Sequence, residues 1–212
     1  MRKTYVYKQQ KVGKYIVKVV QDDNPIDPRE EWDNLCTMVC FHRNYRLGDK
    51  HNHTPETIAD MLKWNRKTIF YRPLYLYDHS GITISTAPFS CRWDSGQVGW
   101  IYVERDKFLK EFGFKKMTKK AKERLEELFV GETKVYDDYL TGNVYGFVVE
   151  EPESEACVSS CWGFFGEPED CLAEGVSEAR AIIKHDIKKH LNLLKIWIKN
   201  RVPLEKRTPL SV

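Results

Sequence analysis

Residues 69–103 read IFYRPLYLYDHSGITISTAPFSCRWDSGQVGWIYV. Ile69 to Tyr71, Leu74 to Tyr77, Ile82 to Thr86 and Val98 to Val103 are short runs rich in β-branched and aromatic residues, the composition of strands. Asp78-His79-Ser80-Gly81 and Trp93-Asp94-Ser95-Gly96 separate them with turn chemistry, so the stretch predicts an antiparallel meander. Upstream, Lys3 to Lys8 and Tyr15 to Val20 alternate about Val12-Gly13-Lys14 and predict an opening hairpin. Leu35 to Phe41 is apolar on both faces, as a central strand is. Downstream, Val135 to Leu140 and Val144 to Glu150 flank Thr141-Gly142-Asn143 as a second hairpin, and Cys157 to Trp162 continues the sheet.

Helices complete the expected α+β fold: mainly one antiparallel sheet of short strands with packed helices and a long C-terminal amphipathic helix. Thr54 and Pro55 are an N-cap and a first helical residue, followed by the apolar stripe Ile58, Met61 and Leu62 as far as Trp64. Asp106 to Phe112 and Thr118 to Val130 predict two more helices, closed by Gly113 and Gly131 at C-cap positions. Ser177 is the expected cap of the last helix, along which Ile183, Ile187, Leu191, Leu194, Ile198 and Val202 step by three or four residues. Lys184, Lys188, Lys195 and Lys199 occupy its other faces, as the contacts to a nucleic acid or another acidic partner. About 25 residues at 1.5 Å each would reach some 37 Å, long for one small sheet, and this points to a second copy of the chain on part of the seam. The division expected is therefore a core over 1–176 and a basic helix with a tail over 177–212, the helix ending at Pro203.

The chain has 212 residues, 42% of them hydrophobic and 31% charged, with six Trp, eleven Tyr and ten Phe, enough for a core without a metal or disulfide staple. No apolar run has the length of a membrane span, and no apolar segment follows Met1 as in a secretory signal. The expectation is a cytoplasmic protein whose six cysteines are reduced. The net charge of +3 is unevenly spread: Glu150 to Gly175 holds eight acids and no Lys or Arg, whereas Arg105 to Arg124 holds nine basic residues against three acids.

Several enzyme classes lack their signatures here. There is no Gly-x-Gly-x-x-Gly after a strand, no phosphate-binding Gly-x-x-x-x-Gly-Lys loop, no His-Glu-x-x-His, no Gly-x-Ser-x-Gly and no paired Cys-x-x-Cys. Four of the six histidines, His42, His51, His53 and His79, lie between residues 42 and 79 beside Asp49 and Asp78. Imidazole nitrogen with carboxylate oxygen suits a divalent metal, and His42, Asp49, His51, Asp78 and His79 are the candidate ligands, with His42, Asp78 and His79 as candidate catalytic residues. The competing reading makes them ordinary loop and turn residues. Cys91 with His42 or His79 is a weaker nucleophile candidate, because nothing local would depress its thiol pKa. The pairs Cys36/Cys40 and Cys157/Cys161 each span about 13 Å along a strand and are expected in the core.

The segments DNLCTMVCFHR (33–43), LYDHSGIT (76–83), PFSCRWDSGQVG (88–99) and YLTGNVYG (139–146) resemble a family of uncharacterised proteins encoded by bacteriophages and other mobile elements. The resemblance covers about residues 22 to 166. It implies no activity, and members carry Gly at the position of Cys36 and Pro at that of Arg92. What it implies is an accessory protein that binds host or phage machinery, an antidefence inhibitor being one form. The alternative is a metal-dependent hydrolase or nuclease built on the His/Asp cluster.

Overall fold

The computed structural model describes residues 5–154 and 156–201. Lys3 and Thr4 of the opening hairpin, Val202 of the seam, and Pro203 with the tail after it lie outside the described residues. The fold is α+β, with five helices and two antiparallel four-stranded sheets among the described residues. The chain divides into two units, one formed by residues 1–21 with 145–212 and the other by the continuous segment 22–144.

The continuous unit is built on β3 (Thr37–Cys40), β4 (Ile69–Asp78), β5 (Ile82–Ser85) and β6 (Ser95–Glu104), in the spatial order β3-β6-β4-β5. The two runs on either side of Pro73 are one strand, which shifts register by a bulge between Leu74 and Tyr75. Period-2 alternation gives this sheet two buried faces. Met38, Leu74, Leu76, Ile101 and Val103 pack with Phe108 of α3 (Arg105–Glu111) and with Ala121, Leu125, Phe129 and Tyr136 of α4 (Lys119–Thr141). Val39, Trp100, Tyr102 and Tyr71, on the opposite face, meet Ile58 and Leu62 of α2 (Pro55–Trp64). As expected, Thr54 caps α2: its hydroxyl accepts from Thr57 N, and Pro55 holds the first helical position.

Two expectations fail in α4. Gly131 does not close it, and Val135 to Leu140 is not a strand, because the helix runs on to Thr141 and closes at Gly142 in the left-handed conformation, φ 76°. The four-residue step Ala121, Leu125, Phe129, Thr133 continues to Tyr136, so burial of one stripe carries the helix through an exposed glycine worth only about 1 kcal/mol. The single sheet expected is accordingly two sheets, and the Val135 segment belongs to neither.

The second unit contains β1 (Val6–Val12), β2 (Tyr15–Gln21), β7 (Val144–Glu151) and β8 (Ala156–Phe165), in the order β1-β2-β7-β8, with α5 (Pro168–Arg201) across one face. Val17, Val19, Tyr145, Phe147 and Val149 pack under Cys171, Val176 and Ala179 of the helix. Here α5 starts at Pro168, nine residues before the expected Ser177, because Cys171, Gly175, Val176 and Ala179 already form the buried stripe. Pro168 at the first helical position and Glu169 and Asp170 in the first turn are favourable start chemistry. No helix among the described residues is long and apolar enough to cross a membrane.

Candidate functional site

The loop from Phe41 to Lys50 is held from within the continuous unit. Asp49 accepts at Oδ1 from Arg29 Nε at 2.8 Å, and at Oδ2 from Arg29 Nη2 and Met38 N, both at 2.7 Å. Arg29 belongs to the single-turn helix α1 (Pro28–Glu31), and its side chain is 1% exposed. Its Nη1 donates to Glu132 Oε2 of α4 at 2.9 Å, and its Nη2 also donates to Cys36 O at 2.8 Å. Glu132 Oε1 in turn accepts from Leu35 N and Cys36 N. Gly48 N donates to the Tyr136 hydroxyl at 2.8 Å, and burial pushes the Tyr136 pKa further up, so that oxygen stays neutral. One buried guanidinium thus ties together α1, β3, the loop after it and α4. The sequence reading missed Arg29 and Glu132, whose only local signal is a charged residue beside positions that must be buried.

Asp49 is therefore committed to Arg29 and Met38. His51 is placed by its Nε2 against Cys40 O at 3.0 Å and by its ring, edge-on to Phe41. Its Nδ1 is buried without a hydrogen-bond partner among the described residues. His42 Nδ1 accepts from Asn44 N at 3.2 Å, its ring stacks on Tyr45 at 4.9 Å, and its Nε2 is 4.0 Å from Asp78 Oδ2. His79 Nδ1 lies 3.3 Å from Asp94 Oδ2, and the backbone pair Asp78 N to Asp94 O, 2.8 Å, brings these two His–Asp pairs to the same end of the sheet. His42, Asp78 and Asp94 line a cleft of about 340 Å³. His42, Asp49 and His51 line a neighbouring one of about 700 Å³. Among the described residues no group of three or more His, Cys, Asp or Glu side chains is arranged to hold a metal ion, so the five candidate ligands do not fit one.

All six cysteines are free. Cys91 Sγ points at Asp94 Oδ2, 3.8 Å away, not at an imidazole. Cys36 and Cys40 are buried as expected, whereas Cys157 and Cys161 are exposed on β8, a correction to the expected core position. Burial pushes the Cys40 and Cys171 thiols up to about 12, and burial with Glu132 nearby raises Cys36, so these three are neutral and unreactive near pH 7. A thiol reagent at pH 8 is expected to modify Cys157 and Cys161 rapidly in the native protein. Cys36, Cys40 and Cys171 should appear only on denaturation, and peptide mapping that found any of them among the fast thiols would refute the assignment.

The distal part of α5 is built differently. From Ile187 to Arg201 every residue is exposed. Seven are large and apolar, Ile187, Leu191, Leu193, Leu194, Ile196, Trp197 and Ile198, each between 45% and 56% exposed. Ile187, Leu191, Leu194 and Ile198 repeat with the 4-3-4 spacing of one helix face, and Lys184, Lys188, Lys195 and Lys199 form a stripe beside it at 4-7-4 spacing. A groove of about 400 Å³, lined by Gly13, Ile183, Ile187 and Leu191 among others, marks where this face leaves the sheet.

Comparison with protein-family models, curated proteins and solved structures finds no match to this chain.

Proposed function

We propose that the protein is an accessory factor that acts by docking the distal half of α5 into an apolar groove rimmed by carboxylates on a partner protein. The observation that carries this reading is the exposed seam of Ile187, Leu191, Leu194 and Ile198 with a stripe of lysines beside it. A seam of this kind is an amphipathic recognition helix, whose apolar anchors supply affinity and whose cations select an acidic rim. Self-pairing is a poorer occupant: with Ile187, Leu191, Leu194 and Ile198 as the seam, Lys188 and Lys195 flank it, and an antiparallel copy sets Lys188 opposite Lys195 of its mate. The resemblance to proteins of bacteriophages and other mobile elements supplies the setting, a partner in the host cytoplasm belonging to host or phage machinery, with antidefence inhibition as one outcome of such binding.

The test compares the chain with a variant carrying Leu191→Asn, Leu194→Asn and Ile198→Asn. These side chains are exposed, so the three changes together should lower folding stability by no more than about 1.5 kcal/mol. Proteins retained from host lysate by the unaltered chain, and lost with the variant and at high salt, should be acidic and should bind again when purified. Retention by the variant would sink the proposal. So would a sedimentation experiment in which the unaltered chain is a dimer that the variant dissociates.

A further inference from the structure

The charge on this chain is concentrated in two places. Residues 107–122 carry seven lysines against one acid, Glu111, a net +6. Residues 184–201 carry six basic residues against Asp186, a net +5, so with +3 for the whole chain everything else together is −8. The two patches differ in what surrounds the cations. On distal α5 the lysines border apolar side chains, whereas none of the large exposed apolar residues lies between Asp94 and Phe129.

All seven lysines of the first patch are exposed, on α3, the turn after it and the start of α4. Lys119 pairs with Glu123 at 4.0 Å and Lys107 donates to Leu35 O, while Lys110, Lys115, Lys116, Lys120 and Lys122 make no ion pair among the described residues. The first turn of α4, where the helix dipole favours carboxylates, holds no acid. Folding therefore gives no reason for these cations. The backbone beneath them is fixed: Phe108 is fully buried, with the Phe112 and Phe114 rings 5.1 and 6.2 Å from it, and Phe114 N donates to Leu109 O at 2.8 Å.

We infer that the α3–α4 corner binds the phosphate backbone of a nucleic acid. Point charges on a rigid corner, with no exposed apolar anchor among them, can bind a regular polyanion but have nothing to insert into a lipid surface or a protein pocket. Without base-reading or stacking groups, the contact is independent of sequence.

Fluorescence anisotropy of the full chain with a labelled 30-base-pair DNA duplex of arbitrary sequence, and with the same sequence as duplex RNA, tests this. With about five phosphates neutralised, affinity for DNA should fall roughly 10²- to 10³-fold between 50 and 200 mM salt. Replacing Lys110, Lys115, Lys116, Lys120 and Lys122 by Gln should weaken binding at least tenfold at low salt and flatten the salt dependence, with the melting temperature retained. Replacing Lys184, Lys188, Lys195 and Lys199 by Gln should change affinity less than threefold. Stronger binding of one duplex than the other assigns the source of the backbone. No binding of either at low salt, unchanged binding by the corner variant, loss confined to the α5 variant, or binding to phosphatidylserine vesicles in place of both duplexes would overturn the inference.

Discussion

Arg29→Met is expected to destabilise the continuous unit by about 3–5 kcal/mol, among the largest effects of any single replacement in the chain. The side chain is 1% exposed and lies between two carboxylates, Asp49 at 22% and Glu132 at 14% exposed. Removing it leaves both without their shared cation, Cys36 O without a donor, and α1 without its tie to α4. The penalty is the cost of orphaned charge, which exceeds the net worth of the intact network. Arg29→Lys tests the geometry separately. It keeps the charge but cannot present the planar fork that serves both oxygens of Asp49 and still reaches Glu132 and Cys36 O. It should recover only part of the loss. Urea unfolding followed by tryptophan fluorescence would show a lower midpoint with an unchanged slope. A loss below 1 kcal/mol for Arg29→Met would mean that water reaches these carboxylates.

Gly175→Val is expected to cost the discontinuous unit about 3 kcal/mol. A Cβ at this position would stand 2.6 Å from Val17 Cγ1 and 2.9 Å from Phe147 Cγ, distances at which the neighbours must shift. Val17 is fully buried and Phe147 nearly so, and close-packed interiors have little room for such movement. Only glycine lets α5 approach the sheet this closely, so the replacement pushes the helix off the surface that positions its distal half. Val17→Ala, added to Gly175→Val, should restore part of the stability by making room. Gly131→Ala is the control. Gly131 is also helical, but its added Cβ meets nothing within 4 Å, and the change should stabilise by up to about 1 kcal/mol. A gain at both glycines would show that helix propensity, not packing, governs both.

The parts of the fold legible in the sequence are those in which local chemistry and burial agree. Thr54 and Pro55 start α2, Thr118 caps α4 through Ala121 N, and the turn after Asp78 joins β4 to β5 as a hairpin. The expected meander does not form: β6 pairs with the other edge of β4 and not with β5, and Ser95 and Gly96 of the expected turn already belong to β6. The reading failed where the two conflict. Val135, Tyr136, Tyr139 and Leu140 have strand composition, yet Tyr136 is fixed by its place on a stripe that begins at Ala121. Asp49 had the look of a ligand because it stands between a glycine and two histidines, and the partner that claims it lies twenty residues upstream in a turn-rich segment. The two His–Asp pairs do gather at one end of a sheet, because the turns that carry Asp78 and Asp94 are hydrogen-bonded to each other. The lysines of α5 were visible as a pattern. That their apolar neighbours are uncovered is a property of sheet width, which no periodicity reports.

The order of the strands in the β1-β2-β7-β8 sheet bears on how the molecule is made. β2 pairs with β7, joining Gln21 to Tyr145, so 123 residues of chain, 22 to 144, separate the two halves of one sheet. On a ribosome adding ~5–20 residues per second, β1 and β2 wait about 6 to 25 s for β7 and longer for α5. Meanwhile the intervening segment emerges whole, and its ends meet within it, Asp22 N donating to Val144 O at 2.8 Å. It can complete its own core first and hand over β7 at the position that β2 requires. Until then the β1–β2 hairpin, bearing Val17 and Val19, has no cover, which leaves it exposed to chaperones and to misassociation.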